Sequence, residues 1–549
     1  MSVAKSSFIF AAGTLLSRIS GVARESVIGA VFGAGMAMDA FVVAFRIPNL
    51  LRELLAEGAL GSSFTKVYAS LNVNDPDAAS RLLIQTLQFV VMVSIAVCGL
   101  GILFADDLVH LMTMFDGSVK GVPEFHNMTV GLTQILFPFI GFAALGAVVQ
   151  GALYQRGGFF LAGVAPILFN LFSIVGALWF SPLATMITPK EIQNSVTDPA
   201  ILGLAIGTLL GGAAQSAIQA WGIWQPLLKG RKLFSFTARI WSPDVKKVLL
   251  LMTPMIIAAS AGQVNMIVNT NFATSLGTGA VTWLYFAFRL VQLPIGMFGV
   301  AVGAAVLPAL SKSITEAGGK VDVTASQQTI DAMDLVAWLM IPCTLGLILS
   351  STNITRLLYE AGRFTPTDTI ETASAIKAYS YGLLGYGLLK VMNSYYYATG
   401  RTRFPMIVSL LSIFANYIAN SILVKKIGHE GLASTASIIL TLNSLLLIIG
   451  MRKDKVMINW RQVIGSITLL SLASSMVVIL HWVYAPYVDN TQFSDWLAIP
   501  SGITALKVNA GIRIAIDGFF IVGCFGLIGL ARIRKTPREA LKMLRRRKS

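Results

Sequence analysis

The chain has 549 residues, of which 55% are hydrophobic and only 12% charged, with a mean hydropathy of +0.72. A soluble protein cannot hide that much apolar surface, because soluble domains carry about 25% charged residues. The net charge of +16 therefore reads as basic loops facing an anionic membrane surface, not as a nucleic-acid partner.

Apolar runs of about 20 residues recur, each long enough to cross a hydrocarbon core about 30 Å thick. Such runs must be helical, because lipid offers no partner to a backbone N–H or C=O. The ten-residue alternation of a membrane barrel is absent. Lys5 followed by Phe8–Leu16 imitates a signal peptide. The apolar run continues past Arg18 into Val27–Val31 without a small-residue cleavage site, so it is read as a first membrane helix. Fourteen spans follow, near 7–32, 38–63, 82–104, 128–153, 158–180, 201–225, 247–275, 280–309, 332–351, 373–398, 404–424, 431–450, 463–485 and 510–531. With the N-terminus in the cytoplasm, 27 of the 42 Lys and Arg fall in cytoplasmic segments, 7 in outer loops and 8 inside spans. That bias places both termini inside.

An internal repeat divides the chain. Ala44-Phe45-Arg46-Ile47 in the second span matches Ala287-Phe288-Arg289-Leu290 in the eighth, each after a Gly-containing turn, Gly33-Ala34-Gly35 and Gly277-Thr278-Gly279. The expected fold is all-α and integral to the membrane, with about 14 transmembrane helices. Its parts are an N-terminal six-helix lobe (1–225), a basic cytoplasmic linker (226–246), a C-terminal six-helix lobe (247–450), two extra helices (451–531) and a basic cytoplasmic tail (532–549). Repeated halves with polar seams are the plan of alternating-access transporters, with a site in the cavity between them.

The eight basic residues inside spans are Arg18, Arg24, Arg46, Arg52, Arg289, Lys377, Lys390 and Arg513. A charge at mid-bilayer costs about 2.5–3.5 kcal/mol on insertion scales. At 100° per residue, Asp39, Arg46, Glu53 and Glu57 fall within about 40° of one another, with Asn49 at the edge of this stripe and Arg52 further round. Arg18 and Glu25 share a face of the first span, and Arg24 is turned about 120° away. Two readings stand. Glu25, Asp39, Glu53 and Glu57 could pair with arginines and hold helices together, which suits Arg46 best. Alternatively Arg18, Arg24, Arg52 and Arg289 hold an anionic ligand, since the planar guanidinium matches phosphate oxygens bidentately and keeps its charge. A diphosphate fits such a cluster better than a neutral or cationic drug does.

Other signals carry little chemistry. Gly382, Gly385 and Gly387 lie inside a span and read as packing or hinge positions. Cys98, Cys343 and Cys524 read as small core residues, and the four histidines, His110, His126, His429 and His481, have no metal-ligand spacing. No Walker motif, nucleophile elbow or HExxH is present, so a transporter is expected and not an enzyme.

Phe32-Gly33-Ala34-Gly35-Met36-Ala37-Met38-Asp39-Ala40-Phe41, Pro48-Asn49-Leu50-Leu51-Arg52 and Ala56-Glu57-Gly58-Ala59 resemble the signature of the MurJ (MviN) lipid II flippases. So do Ser17-Arg18 through Ala23-Arg24, the set Trp283, Tyr285, Arg289, Pro294, Gly296 and Gly299, and Leu307-Pro308-Ala309-Leu310-Ser311-Lys312-Ser313. Weaker matches are Gly362-Arg363-Phe364-Thr365 and Tyr379-Ser380-Tyr381-Gly382. The resemblance implies the multidrug/oligosaccharidyl-lipid/polysaccharide exporter fold. It implies transfer of the undecaprenyl-diphosphate-linked disaccharide-pentapeptide from the inner to the outer leaflet of a bacterial inner membrane. The family's essential cavity arginines map onto Arg18, Arg24, Arg52 and Arg289, with Glu25, Asp39, Arg46, Asn49, Glu53 and Glu57 as supporting polar groups. The last two helices correspond to the family's groove for the polyprenyl tail. Partners implied are the lipid-linked precursor, membrane lipids and proteins of cell-wall synthesis or division. No cofactor is implied. Sodium is doubtful, because span 11 offers Asn416 and Asn420 without a carboxylate, which leaves the membrane potential as a driver. The alternatives are a flippase for another polyprenyl-diphosphate-linked glycan and a cation-coupled drug exporter of the same fold.

Overall fold

The computed structural model describes residues 3–114, 123–196, 198–224, 241–454, 456, 460–489 and 502–534. Most of the expected linker at 226–246 and nearly all of the expected tail at 532–549 lie outside them. Among the described residues the regular structure is helical throughout, with no strand.

Several helices start where the sequence supplies both a cap and a pre-set φ. Asp75-Pro76, Asp198-Pro199 and Ser242-Pro243 open α4 (Pro76–Leu103), α12 (Pro199–Ile223) and α13 (Pro243–Thr274). The cap side chains accept from the amides of Ala78 (2.9 Å), Ala200 (3.0 Å) and Val245 (3.3 Å). Proline suits the first helical position because its missing N–H would have no partner there.

Nine helices among the described residues are long and apolar enough to cross a membrane. One of them, Arg403–Asp454, joins two spans, since α19 (Arg403–Gly450) is broken at Ile427 and Gly428, where Gly428 has φ +59°. Four expected spans are absent from that group: 7–32, 38–63, 247–275 and 373–398. These four carry arginines, lysines or a row of amides, and together with the two spans joined in Arg403–Asp454 they account for the difference between nine apolar helices and fourteen spans. Within the tenth, the helix is interrupted at Tyr381 and Gly382, between α17 (Pro366–Ser380) and α18 (Leu383–Ala398). A Cβ on Gly382 would stand 2.5 Å from the Cα of Ser437, and one on Gly385 would stand 2.7 Å from the Cα of Thr441. These glycines therefore bring the broken span against α19.

Packing separates the chain into two compact units: Met1–Trp283 with Ala361–Asp368, and Leu284–Glu360 with Thr369–Ser549. This cut is made by contacts and differs from the lobes drawn from the repeat, because α13 packs with the first unit. The first unit begins with α1 (Val3–Phe32) and α2 (Met36–Leu51), the latter continuing into a wider π-helical stretch at Arg52–Leu60. The second contains most of α14 (Ala280–Pro294), a π-helical stretch at Ile295–Gly299, α15 (Val300–Glu316) and α16 (Val323–Leu358). It ends with α20 (Trp460–Asp489) and α21 (Ile503–Arg534). The two π stretches start at residues 52 and 295, the same 243-residue offset that separates Arg46 from Arg289. Pro48 and Pro294 precede them and remove a ladder donor, which lets each helix widen.

In the first unit α12 packs tightly against α9 (Pro166–Trp179). Gly203, Gly207 and Gly211 recur every fourth residue, and a Cβ on Gly207 would lie 2.5 Å from the carbonyl oxygen of Phe172 and 2.6 Å from the Cα of Gly176. Small residues at this spacing let backbones touch in lipid, where no hydrophobic effect drives helices together. Backbone atoms cannot swing aside. Gly207→Leu is therefore expected to cost about 3 kcal/mol through overpacking, seen as a lowered melting temperature in detergent. Gly99→Ala, whose Cβ meets nothing within 4 Å, should leave the melt unchanged.

Candidate functional site

α1 is held against α9 and the short α8 (Phe159–Val164) by polar contacts that suit a bilayer. Asn170 Nδ2 donates to the carbonyl of Ser17 (3.2 Å) and to Ser20 Oγ (2.8 Å), and Gly13 meets the backbone of Gly163. This docking positions the arginines of α1. Arg24 is buried, with 9% of its surface exposed, and forms an ion pair with Glu25, itself 3% exposed. Its guanidinium lies 5.1 Å from the centre of the Phe169 ring. Its Nε is buried without a hydrogen-bond partner among the described residues. Arg18, two turns earlier, is half-buried and makes no ion pair with a described residue.

Arg52 sits at the start of the π stretch. Its Nε donates to Asn49 Oδ1 (2.9 Å), Asn49 Nδ2 donates to Glu53 Oε1 (2.9 Å), and Arg52 Nη2 stands 3.9 Å from that same oxygen. The three form a relay along one side of α2. The wider turn rotates less per residue than 100°, the value on which the expected stripe was drawn. The side chain of Glu57 lies outside those described. Arg46 donates from Nη1 to Thr270 Oγ1 on α13 at 2.7 Å.

Asp39 does something the stripe did not suggest. Only 1% exposed, its carboxylate accepts from the amides of Gly279 (2.6 Å) and Thr282 (2.9 Å) and from the Thr282 hydroxyl (2.6 Å). It caps the first turn of α14, and Thr282 is its own counterpart 243 positions on. The signal was present in the repeat, since equivalent positions beside the two glycine turns are natural partners. A second set of contacts closes the same region. The Arg363 amide donates to the carbonyl of Ala30 (2.8 Å), Arg363 pairs with Asp198, and Trp283 Nε1 donates to Asp368 Oδ1 (2.9 Å). Gly33 and Gly362 both have positive φ, and a Cβ on either would be driven into the opposing backbone.

In the second unit, Arg289 lies over the Tyr285 ring, 4.9 Å from its centre, with Nη2 donating to the Tyr285 hydroxyl at 3.3 Å. Lys390 lies over Tyr386 in the same i−4 arrangement, at 5.1 Å. Asn416 and Asn420 are buried on one face of α19, at 3% and 0% exposure. Groups of three or more His, Cys, Asp or Glu able to hold a metal do not occur among the described residues.

The family described as "Lipid II flippase MurJ" matches residues 28–498 of this chain. The chain belongs to that family. It is 32% identical over 446 residues to "Lipid II flippase MurJ" of Burkholderia cenocepacia, covering 80% of this chain and 82% of the relative. With "Probable lipid II flippase MurJ" of Vibrio cholerae the identity is 30% over 480 residues, covering 86% and 87%. Among solved structures, "Lipid II flippase MurJ, inward closed conformation" superposes with a TM-score of 0.75 at 22% identity, over 96% of this chain and 99% of that one. An inward-facing multidrug resistance MATE family transporter of the MOP superfamily gives 0.64 at 15% identity, over 80% and 94%. Both share the fold, which supports the reading of about 14 membrane helices. Arg52, Arg289 and Asp39 fall inside the family match, and Arg18, Arg24 and Glu25 precede it.

Because Asp39 satisfies three donors at a buried turn, Asp39→Ala should destabilise the protein by about 1–3 kcal/mol. Thermal unfolding in detergent checks this, and Thr282→Val should cost less, since it removes one of the three bonds.

Proposed function

We propose that this protein carries lipid II from the inner to the outer leaflet of a bacterial cytoplasmic membrane by alternating access, with Arg18, Arg24, Arg52 and Arg289 engaging the diphosphate. Membership of the lipid II flippase family over residues 28–498 carries the substrate reading. The state of Arg24 supports the role of the arginines. A guanidinium buried beside one carboxylate, with one N–H left unsatisfied, has a donor to offer an incoming oxyanion.

Each of Arg24, Arg52 and Arg289 has a partner within four residues on its own helix: Glu25, Asn49 and Tyr285. A diphosphate can replace such local partners without any helix leaving its neighbour. The headgroup would enter the polar cavity while the polyprenyl chain stays in lipid beside α20 and α21. Both termini would face the cytoplasm, as the Lys and Arg bias requires. Membrane potential would supply the drive, at about 2.3 kcal/mol per charge per 100 mV. Asn416 and Asn420 alone are a poor sodium site, since hard cations prefer carboxylates among their oxygen ligands.

In proteoliposomes, Arg24→Ala and Arg289→Ala are each expected to reduce lipid II flipping at least tenfold with expression and folding intact. Normal flipping in either would remove that arginine from the site. Arg24→Lys should restore only part of the rate, because a point charge lacks the guanidinium's fork. Supplying another polyprenyl-diphosphate-linked glycan under the same conditions tests headgroup selectivity. Collapsing the potential with an ionophore should slow flipping, whereas replacing sodium by potassium should leave it unchanged.

A further inference from the structure

The last two helices hold a polar cluster that the arginine site does not use. α16, α20 and α21 pack along an apolar seam built from Leu470, Ala473, Val477, Ile521, Cys524 and Phe525, with Trp338 and Leu345 against it. At one end the seam turns polar. Asp517 on α21 is 5% exposed. Its Oδ2 accepts from Ser350 Oγ of α16 at 2.5 Å. Its Oδ1 accepts from the Tyr484 hydroxyl and lies 2.9 Å from His481 Nδ1, both on α20. His481 Nδ1 is also 3.2 Å from the Tyr484 hydroxyl, and the Tyr484 ring stacks on Phe520 at 4.8 Å.

A carboxylate this deep in a span is costly, and isosteric apolar packing would serve the seam at least as well. Its surroundings are those of a group built to handle a proton. Asp517 holds Nδ1 of the imidazole, which leaves Nε2 to take up a proton, and the product is an imidazolium–carboxylate pair. Among the residues whose side chains are described, the other charged or titratable groups in this half of the three helices are Lys507 and Arg513 on α21, Tyr484 and Tyr487 on α20, Arg356 on α16, and Glu360 just past its end. Arg356 and Glu360 pair with each other at 3.3 Å. Arg513 is one turn from Asp517 on the same face of α21, so a proton on His481 moves the Arg513–Asp517–His481 group from neutral to a net positive charge.

We propose that Asp517 and His481 form a proton-binding site of this protein, made of none of the four arginines, and that its occupancy sets the rate of transport. Only the last clause rests on the flippase reading. Under the orientation proposed above, the cluster lies toward the outer face, so the proton comes from outside.

The chain has four histidines, so the imidazole of His481 can be followed by NMR in purified, histidine-labelled protein, with His481→Gln assigning the signal. Wild type should show a His481 signal that responds to pH, and that response should change in Asp517→Asn and, to a smaller extent, in Ser350→Ala. A His481 signal that does not titrate, or titrates identically in all three, overturns the site. Flipping of lipid II in proteoliposomes against external pH tests the coupling. The wild-type rate should change with the His481 titration and become flat in His481→Gln, and an unchanged pH profile in that variant overturns the coupling. Failure of wild type to flip lipid II at any pH would strike the functional reading and leave the NMR result standing.

Discussion

Every polar group inside a bilayer must find its partner within the protein, because hydrocarbon supplies none. Asp39, Arg24 and Asp517 all sit in spans, and each meets this demand differently. Asp39 is fully used: two backbone amides and a hydroxyl close on its carboxylate, and it fixes where α14 begins. Asp517 is likewise filled by three side chains from α16 and α20, but one of them is an imidazole that can change charge. Arg24 is only half used, with one carboxylate, one ring face and a buried donor left over. The fully satisfied group is architecture, and the incompletely satisfied one is where a ligand gains most.

The repeat gives this pattern a geometric origin. An arginine and the start of a π stretch recur at one offset of 243 residues, with a glycine turn before and a proline beside them in each copy. In each copy the proline removes a donor from the ladder, and the widened turn that follows changes the direction of the side chains after it. Arg52 stands at the opening of the first π stretch and Arg289 one turn before the proline of the second, so the two copies deploy their arginines at different points of a shared local structure.

Local pairing also explains how strongly charged helices coexist with transport. Releasing an arginine from an acid on a neighbouring helix costs several kcal/mol per pair in low dielectric. Glu25 beside Arg24 and Glu53 beside Arg52 offset charge on the same helix and stay close when a diphosphate displaces them.

Composition and hydropathy alone determined that the chain is a helical membrane protein with about 14 spans, because the bilayer imposes length and apolarity directly on sequence. The arginine-rich first two spans and the repeat were equally legible. The π stretch at Arg52–Leu60 was not legible, since it is a tertiary accommodation that residue spacing does not announce. Asp39 was visible as a charge, but its commitment to Gly279 and Thr282 depends on two segments 240 or more residues apart meeting in space. The Asp517 cluster needed three helices brought together, and its only trace in sequence is the four-residue spacing of Asn509, Arg513 and Asp517 along the last span. Which charges are spent and which are held in reserve is a property of neighbours, and only the folded chain chooses those.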